Sequence, residues 1–377
     1  MISSEPDILV IGGGIAGASA AAELARTHRV LLLEGEDALG LHSTGRSAAA
    51  FSETYGNRAI RSLTRASRDF FYHPPVDFSP YPLLKRRSWL QVASATQASA
   101  LESLLAKDDV ALNVRRVCPE EALALCPLLR PETVAAGGAY DRDAADIDVD
   151  GLHRGYLRLL RQHRGTILTG AQVTALVRRA GKWLVESTAG AFQAPIVINA
   201  AGAWADRIAV LAGVAPLRIQ ACRRTAVLVE LSSGEISAEW PLTIDIEEAY
   251  YFKPDAGLLL ISPADETPVE PCDVQPEDLD VAIAIDRVER ATLMSIKRVR
   301  RSWAGLRSFA PDRSPVIGFD EAAPGFFWLA GQGGYGIQTA PAAARLAAAL
   351  LREERLPQSL AGLDPACVAP GRFASSN

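Results

Sequence analysis

The chain has 377 residues, a length that predicts two or three domains, or one domain with a large insertion. Hydrophobic residues make up 49% of it and charged residues 22%, which is typical of a globular protein and excludes disordered, collagen-like and coiled-coil chains. The net charge of −5 argues against a general nucleic-acid-binding protein. The five cysteines are far apart and no CxxC or HExxH pattern occurs, so we predict neither a disulfide framework nor a metal site.

The apolar segment from Ile8 to Ala22 is not predicted to be a signal peptide or a membrane span. It lacks a basic region before it, glycines interrupt it, and it is too short to cross a bilayer. No other stretch reaches membrane-spanning length. We therefore expect a soluble cytoplasmic protein without a transmembrane segment, whose oligomeric state, monomer or homodimer, the sequence leaves open.

A strand, a glycine turn, a helix and a second strand follow one another near the N-terminus. Residues 7–11 form a short apolar run, residues 12–17 have the spacing GxGxxG, residues 18–26 are rich in alanine, and residues 29–33 form a second apolar run. This order is typical of a dinucleotide-binding unit.

Each glycine of this motif has a physical role. Gly12 permits a tight turn, Gly14 allows the backbone to approach a pyrophosphate, and Gly17 allows the helix and strand to pack closely. The first turn of the helix offers N–H groups and a positive dipole end to phosphates. Glu34 lies 22 residues after Gly12, at the spacing of an acid that binds ribose hydroxyls, which favours FAD or NAD over NADP.

A loop of small residues, 40–50, follows the second strand. FAD-dependent oxidoreductases commonly place such a loop against the phosphates and ring of the flavin, where small side chains leave room for the cofactor. Ser43 and Ser47 are candidates for hydrogen bonds to phosphate, and Arg46 is a candidate for its countercharge. The alternative is that all three are solvated loop residues.

Helices and strands alternate at both ends of the remaining chain, and its middle is rich in strands. Helical spacing covers residues 57–71, 97–105, 149–161, 277–293 and 338–351, with Pro341 in the first turn of the last helix. Strand patterns cover residues 88–92, 166–177, 183–192, 196–199, 224–231, 250–253, 258–262, 299–306 and 326–330. The proline-rich acidic segment 263–277 predicts a surface loop. Alternation along 250–253 places Tyr251 on the opposite face from Tyr250 and Phe252.

Five blocks in this order resemble the D-amino-acid oxidase-like FAD family, which includes glycine oxidase and sarcosine oxidase. They are residues 12–17, 40–50, 197–204, 304–309 and 331–339. The run His42–Ala49, with Tyr55 and Gly56 downstream, is especially similar to the FAD-dependent D-arginine dehydrogenase branch. The resemblance covers essentially the whole chain.

The resemblance implies an α/β fold with a Rossmann-like FAD-binding domain and an interleaved, β-rich substrate domain. The expected FAD-binding domain comprises residues 1–80, 145–205 and 306–377, and the substrate-binding domain comprises residues 81–144 and 206–305. FAD is expected to be bound non-covalently, because no cysteine falls in a block that contacts the flavin. The implied cofactor-binding residues are Gly12, Gly14, Ile15, Ala16, Gly17, Glu34, Ser43, Arg46, Ser47, Ala48, Ala49, Val173, Ala201, Gly202, Trp204, Gly333, Gly334, Tyr335, Gly336, Ile337, Gln338 and Thr339.

Arginine is the residue best suited to bind the carboxylate of an amino acid, because its planar fork forms two hydrogen bonds with it. By resemblance, Arg224 and Arg307 form this pair, although a solvated strand-end charge is the alternative for each. Tyr251 matches a substrate-contacting tyrosine, with a core aromatic as the alternative. The implied residues of the reaction site are Arg224, Arg307, Tyr251, Tyr55 on a lid over the substrate, Gly334 through its carbonyl, Ser52, Trp89 and Gln338.

The chain departs from the D-arginine branch at three positions. Trp89 stands at the position of the glutamate that contacts the substrate guanidinium, Ala50 replaces a histidine, and Ser52 replaces a threonine. Tryptophan favours an apolar side chain, so neutral or hydrophobic D-amino acids are predicted over D-arginine. Glu53 would restore a basic preference if it pointed inward.

The resemblance implies oxidative deamination of D-amino acids. Hydride passes from Cα to flavin N5, and the imino acid hydrolyses to a 2-oxo acid and ammonia. No side-chain base is predicted, and His42 is interpreted as structural. The alternatives are a glycine, sarcosine or other secondary-amine (proline-type) oxidase or dehydrogenase, a non-catalytic flavin electron-transfer subunit, and an NAD-dependent dehydrogenase. The electron acceptor, a quinone, another carrier or O2, is left open.

Overall fold

The computed structural model describes residues 5–107, 110, 114–232 and 236–373. Its helices are α1 (Ile15–Leu24), α2 (Arg58–Tyr72), α3 (Ala98–Leu105), α4 (Pro119–Leu125), α5 (Val149–Gln162), α6 (Ala205–Leu211), α7 (Asp278–Ala291) and α8 (Gly336–Leu351). Its strands are β1 (Ile8–Ile11), β2 (Val30–Leu33), β3 (Ala50–Phe51), β4 (Leu84–Arg86), β5 (Trp89–Ala93), β6 (Val114–Val117), β7 (Gly137–Asp141), β8 (Ala145–Ile147), β9 (Thr166–Leu168), β10 (Val173–Arg179), β11 (Lys182–Ser187), β12 (Gly190–Ala194), β13 (Ile196–Asn199), β14 (Gln220–Leu231), β15 (Leu242–Asp245), β16 (Tyr251–Asp255), β17 (Leu258–Ser262), β18 (Thr267–Pro268), β19 (Ile296–Phe309), β20 (Val316–Phe319), β21 (Phe326–Ala330) and β22 (Gln332–Gly333).

The first sheet has the order β20-β21-β13-β1-β2-β9 and is parallel except for β20. Its strands are continuously apolar because both faces are covered. Ile8 and Val10 of β1 face helices α1, α2, α5 and α8, whereas Leu9 and Ile11 face the antiparallel sheet β10-β11-β12 and α6. The carboxyl ends of these strands therefore form one edge, where ligands bind in doubly wound folds.

The larger sheet has the order β22-β19-β14-β17-β16-β15-β5-β7-β6, with β18 paired to β14. Neighbouring strands in it are antiparallel except β15 and β5. One face is closed by α7, whose Ala284 and Val288 pack with Val227, Phe252 and other apolar residues. The opposite face carries a separate apolar cluster and turns toward the carboxyl edge of the parallel sheet.

The strand alternation predicted around Tyr251 is confirmed. Tyr250 and Phe252 lie in the core beneath α7, with their rings stacked at 6.5 Å, and Tyr251 lies on the opposite face. All strands of the parallel sheet fall within the ranges predicted for the FAD-binding domain. The division into two domains itself stays a prediction.

Two predicted strands are each divided in the structure. The pattern over 166–177 contains β9 and β10, separated at Gly170, whose φ of +60° ends the first strand. The pattern over 183–192 likewise contains β11 and the start of β12, with Gly190 at φ +123°. A periodicity of two continues across such a glycine, so the hydrophobic pattern alone does not reveal the turn.

The last helix begins two residues earlier than predicted. Because α8 starts at Gly336, Pro341 lies in its second turn, where a proline removes one hydrogen bond of the helix. The next residue, Ala342, donates its N–H to the buried Ser67 hydroxyl of α2 at 3.1 Å. Helix α2 thus supplies a hydrogen-bond acceptor, the Ser67 hydroxyl oxygen, next to the proline that interrupts the hydrogen bonding of α8.

We expect Asn57→Ala to lower the free energy of unfolding by about 1 kcal/mol, as is typical for loss of an N-cap. The Asn57 side chain caps α2 by accepting the Ile60 N–H at 3.1 Å. Its amide donates to Ser314 Oγ at 3.0 Å and to the Arg313 carbonyl at 3.2 Å. Asn57→Asp keeps the acceptor of the cap and, like Asn57→Ala, loses both amide donors, so the difference between the two variants measures the cap. Urea unfolding measures both, and an alanine variant as stable as the aspartate variant would contradict the capping role.

Candidate active site

A cavity of about 540 Å³ lies between the carboxyl edge of the parallel sheet and the open face of the larger sheet. One end is lined by the glycine turn after β1 and the end of β2, and the other by residues of β14, β16 and β19. A site between two sheet systems is a common location for a ligand. The size and elongated lining suit a large cofactor with a smaller substrate beside it.

The glycine turn has the geometry that a bound pyrophosphate requires. Gly12 has φ +107°, and a Cβ there would lie 2.4 Å from the Ala200 carbonyl oxygen. A Cβ on Gly17 would lie 1.9 Å from the Gly12 carbonyl oxygen, so α1 and β1 could not pack as they do. A Cβ on Gly14 would meet only Thr44 Oγ1, at 3.4 Å, and the residue lines the cavity. Gly14 is therefore the glycine that keeps space free for a ligand.

Glu34 is held at the cavity wall by backbone hydrogen bonds. Its Oε2 accepts the Gly13 N–H at 2.7 Å, and its Oε1 accepts the Glu36 N–H at 3.1 Å. Each oxygen keeps a lone pair for a further donor. Val173 lines the same end of the cavity. The arrangement suits a ribose whose hydroxyls donate to the carboxylate.

The small-residue loop is tied to β19. Ser43 donates its hydroxyl to the Leu306 carbonyl at 2.7 Å, and the Leu306 N–H donates to the His42 carbonyl at 3.0 Å. Ser47 donates to the Ser43 carbonyl at 3.0 Å. Both serines line the cavity and keep acceptor capacity toward it.

Arg46 has structural partners in the loop and beyond it, and its predicted phosphate contact stays a prediction. Its guanidinium donates to the carbonyls of Leu41, Val274 and Ala304 at 2.9, 2.7 and 2.9 Å and also pairs with Asp273. These partners lie in three separate segments of the chain. The charge of Arg46 therefore joins the loop to β19 and to the 263–277 segment.

Thr44, which the sequence analysis did not select, contacts the glycine motif directly. Its buried hydroxyl oxygen accepts the Ile15 N–H at 2.9 Å, so this donor of the first turn of α1 is already partnered. The contact joins residues 29 positions apart, which no local pattern indicates. Its only sequence signal was a third hydroxyl residue within the loop.

The two predicted arginines meet on one face of the β14–β19 ladder. Arg224 is opposite Gly305, and Arg307 lies two residues further along the same face, a diagonal arrangement that brings long side chains together. Arg224 is only 8% exposed, and its Nε has no hydrogen-bond partner although it is buried. Both arginines and Tyr251 line the cavity. Such a buried cationic pair is suited to an anion.

Arg307 stays charged in this environment. Burial alone would lower the pKa of its guanidinium, but the nearby hydroxyls of Tyr55, Tyr251 and Tyr335 raise the pKa above its ordinary value. The three tyrosines come from different segments, so the chain surrounds this one cation with oxygen atoms. A permanently charged, directional donor is what recognition of a carboxylate needs.

An apolar cluster adjoins the arginine pair. It contains Trp89, Ala144, Leu242, Ile244, Tyr251 and Leu260, with Tyr55 and Ala50 packed against it. The Tyr55 ring lies 5.0 Å from Trp89 and 4.9 Å from Tyr335 between ring centroids. Burial raises the pKa of the Tyr55 hydroxyl, which donates to Glu248 Oε2 at 3.3 Å. Tyr55 and Trp89 thus lie behind the cavity wall, and Tyr251 belongs to both the wall and the cluster.

Ser52 and Gln338 are not among the residues that line the cavity, and their predicted contact with the substrate stays a prediction. The Ser52 N–H donates to Gln338 Oε1 at 3.2 Å, and the Ser52 hydroxyl donates to Asp141 Oδ2 at 2.8 Å. Burial raises the pKa of Asp141, a residue that the sequence analysis did not select. This network fixes the start of the predicted lid to α8 and β7.

Glu53 points away from the cavity, toward α2, where its carboxylate pairs with Arg68 Nη1 at 2.6 Å. His42 contacts Glu36 Oε1 at 2.9 Å through Nε2, and its ring centroid lies 4.6 Å from that of Trp204.

Eighteen predicted cofactor residues line the cavity: Gly12, Gly14, Ile15, Ala16, Glu34, Ser43, Arg46, Ser47, Ala48, Ala49, Val173, Ala201, Gly202, Trp204, Gly333, Gly334, Gly336 and Ile337. Four do not line it: Gly17, Tyr335, Gln338 and Thr339.

We expect Gly334→Ala to misplace Arg307 with little effect on stability. A Cβ at Gly334 would lie 2.6 Å from Cζ and Nη1 of Arg307, and the end of that side chain would have to move. A displacement of this size at a binding group commonly costs about 100-fold in kcat/KM. The matched control is Gly362→Ala, whose Cβ would meet nothing within 4 Å. An alanine variant at 334 with unchanged kcat/KM would contradict the close packing of Arg307.

Comparison with known proteins identifies the family. Residues 7–350 match the family model described as "DAO: FAD dependent oxidoreductase". The chain belongs to this family. A Bos taurus protein named FAD-dependent oxidoreductase domain-containing protein 1 is 24% identical over 92% of this chain and 81% of its own length.

Two solved structures share the fold of this DAO-family chain. L-proline dehydrogenase from P. horikoshii superposes with a TM-score of 0.83 and 21% identity over 99% of both chains. Glycine oxidase from Geobacillus kaustophilus superposes with a TM-score of 0.83 and 19% identity over 98% of this chain and 99% of its own. The predicted fold class is therefore confirmed, and likeness at this level of identity shows the fold alone.

The cofactor of this DAO-family protein is FAD. The structure fits it, because the Gly14 position is open to the cavity and Glu34 is oriented at the end of β2. In the described part of the chain, no helix is both long and apolar enough to cross a membrane. Among the same residues, no three His, Cys, Asp or Glu side chains are grouped so that they could hold a metal ion.

Proposed function

We propose that this FAD-dependent oxidoreductase oxidises the Cα–N bond of an amino acid whose carboxylate is bound by Arg224 and Arg307. The observation that carries the proposal is the pair of arginines, Arg224 and Arg307, that line the cavity from one face of the β14–β19 ladder. Guanidinium groups recognise a carboxylate through charge-assisted hydrogen bonds, so this pair suits the carboxylate of an amino acid.

The chain's own residues would bind and orient the substrate. The two guanidinium groups hold the carboxylate, and the Gly334 carbonyl accepts a hydrogen bond from the amine. Tyr251 forms one wall, while Tyr55 and Trp89 keep water out from behind it. When bound, FAD supplies the two-electron acceptor, and water then hydrolyses the imino acid to a 2-oxo acid and ammonia. The amine proton is released to solvent, and no side chain of the site is assigned the role of a base.

The proposed substrates are D-amino acids with neutral or hydrophobic side chains. The apolar cluster around Trp89 supports this side-chain class. The pairing of Glu53 with Arg68 leaves that carboxylate unavailable to a substrate guanidinium. The D configuration rests on the resemblance of residues 42–49 to the D-arginine dehydrogenase branch. We therefore expect kcat/KM for D-Phe, D-Leu or D-Met to exceed the value for D-arginine, and a value for D-arginine at least ten times theirs would contradict this preference.

The second candidate is oxidation of glycine, sarcosine or a cyclic secondary amine such as proline. Ala50, where the related branch has a histidine, leaves more room near the amine, and it packs against the apolar cluster. Proteins described as L-proline dehydrogenase and as glycine oxidase share this fold, so the fold is compatible with such substrates. Both candidates use the arginine pair and differ in the amine and in the side chain.

An anaerobic screen of the purified holoenzyme tests the proposal. The panel contains D- and L-amino acids, glycine, sarcosine and proline, and loss of the flavin absorbance reports oxidation. Fast bleaching by apolar D-amino acids is the expected result, and readmission of air then separates an oxidase from a dehydrogenase. Bleaching by glycine or secondary amines alone would move the assignment to the second candidate. No bleaching by any member would overturn both.

A further inference from the structure

The carboxylate of Glu266 lies among three arginine side chains, two of which, Arg224 and Arg307, line the cavity. Its Oε1 is 3.0 Å from Arg224 Nη2 and 3.7 Å from Arg307 Nη1. Its Oε2 is 2.7 Å from Arg313 Nη2. One internal carboxylate therefore bridges the two arginines of the proposed site to a third one outside it.

The position of Glu266 is fixed by its neighbours in sequence. Asp265 accepts the Thr225 N–H at 2.7 Å and the Thr225 hydroxyl at 3.0 Å, and Thr267 pairs with Arg223 of β14. The predicted surface loop is thus attached to the strand that carries Arg224. The Glu266 side chain is 27% exposed, so its charge is only partly screened by water.

Arg313 is also held in place. Its guanidinium lies over the Phe309 ring, 3.9 Å from the centroid, and its carbonyl accepts a hydrogen bond from Asn57. Its side chain is 52% exposed, so this arginine faces the solvent side of the cluster. A second anionic group on a substrate held by Arg224 and Arg307 would find Arg313 as its nearest free cation if Glu266 were absent.

We propose that Glu266 is a specificity-determining residue that restricts the site to substrates with a single carboxylate. This inference rests on the proposed function, since it assumes that Arg224 and Arg307 bind the substrate carboxylate. The three guanidinium groups carry three positive charges. Glu266 and one substrate carboxylate together carry two negative charges, so one net positive charge remains. A dicarboxylate would remove that charge and would place a carboxylate against Glu266, where like charges repel at short range. When a neutral residue replaces Glu266, a bound dicarboxylate again leaves one net positive charge at the three arginines.

Binding of acetate and of malonate to the FAD-loaded protein, measured by isothermal titration calorimetry, tests this role. In the wild type, malonate is expected to bind no more tightly than acetate. In Glu266→Gln, the Kd for malonate is expected to fall at least tenfold, and the Kd for acetate by threefold or less. Glu266→Asp keeps the charge and is expected to retain the wild-type selectivity. Glu270→Gln makes the same charge change on the same segment at a side chain that is 92% exposed, and it is expected to change neither Kd.

Two results overturn the inference alone. One is a Glu266→Gln variant that binds malonate no more tightly than the wild type does. The other is a variant that binds both ligands more weakly, which would make Glu266 a residue that positions the arginines. If Arg224→Lys and Arg307→Lys bind acetate as the wild type does, the arginine pair is not a carboxylate site. That third result would overturn the proposed function and this inference with it.

Discussion

Arg307→Lys is expected to lower kcat/KM for the amino-acid substrate by about 100-fold, because a point charge replaces a fork that forms two charge-assisted hydrogen bonds. Loss of one such bond costs about 1.5–3 kcal/mol, and each 1.4 kcal/mol corresponds to about tenfold. The replaced group lies on the cavity wall and is surrounded by three tyrosines. We expect most of the loss in KM, since the carboxylate is bound in both the ground state and the transition state.

Arg300→Lys is the matched control for this prediction. Arg300 lies on the same strand, β19, but its side chain is 45% exposed and pairs with Glu230 at 2.8 Å on the surface. Its replacement is expected to leave kcat/KM unchanged, because exposed ion pairs contribute little. Steady-state kinetics and the FAD content are measured on both variants. Equal kinetics for Arg307→Lys and the wild type, with FAD bound, would contradict the role of Arg307.

Gly14→Ala is expected to weaken FAD binding by about 100-fold while the chain still folds. The new methyl group would meet protein only at Thr44 Oγ1, 3.4 Å away, and would otherwise project into the cavity. Displacing a phosphate from its N–H donors would cost about 100-fold in FAD affinity if one charge-assisted hydrogen bond is lost. The measurements are the flavin-to-protein absorbance ratio and the far-UV circular dichroism.

Gly17→Ala is expected to fail in a different way. The methyl group would lie 1.9 Å from the Gly12 carbonyl oxygen, so α1 would have to move away from β1. Overpacking against backbone at this distance is expected to cost about 3 kcal/mol or more, which lowers the thermal midpoint or prevents soluble expression.

If Gly14→Ala retained FAD as well as the wild type does, the placement of the pyrophosphate at this turn would be contradicted.

Local sequence patterns predict those features of the fold that depend on residues close together in the chain. The turn from β1 into α1 needs glycines at set positions, and Gly12 with its positive φ meets this need. The face of Tyr251 follows from strand alternation and was predicted correctly. Asn57 is the first residue of the helix predicted over 57–71, and the structure shows it as the N-cap of α2. In each case the physical cause acts within a few residues of the pattern.

The features that were missed depend on contacts between distant segments. The sequence predicts a phosphate contact for Arg46 but does not indicate its partners Val274 and Ala304, which lie 228 and 258 residues away. Asp141 meets Ser52 across 89 residues. Glu266 was placed in a surface loop, because an acidic, proline-rich segment gives no sign of three arginines brought together by strand pairing. Side-chain partners of this kind are decided by the tertiary fold and not by periodicity.

The central claim is that an amino-acid carboxylate is bound by Arg224 and Arg307. It is tested most directly by comparing the anaerobic flavin bleaching caused by an amino acid and by its carboxamide. The pair consists of the best substrate from the screen and the same molecule with its carboxylate replaced by a neutral amide. We predict that kcat/KM for the acid exceeds that for the amide by about 100-fold in the wild type, and that Arg307→Ala reduces this ratio to below about tenfold. An amide oxidised as efficiently as the acid by the wild type would contradict the account.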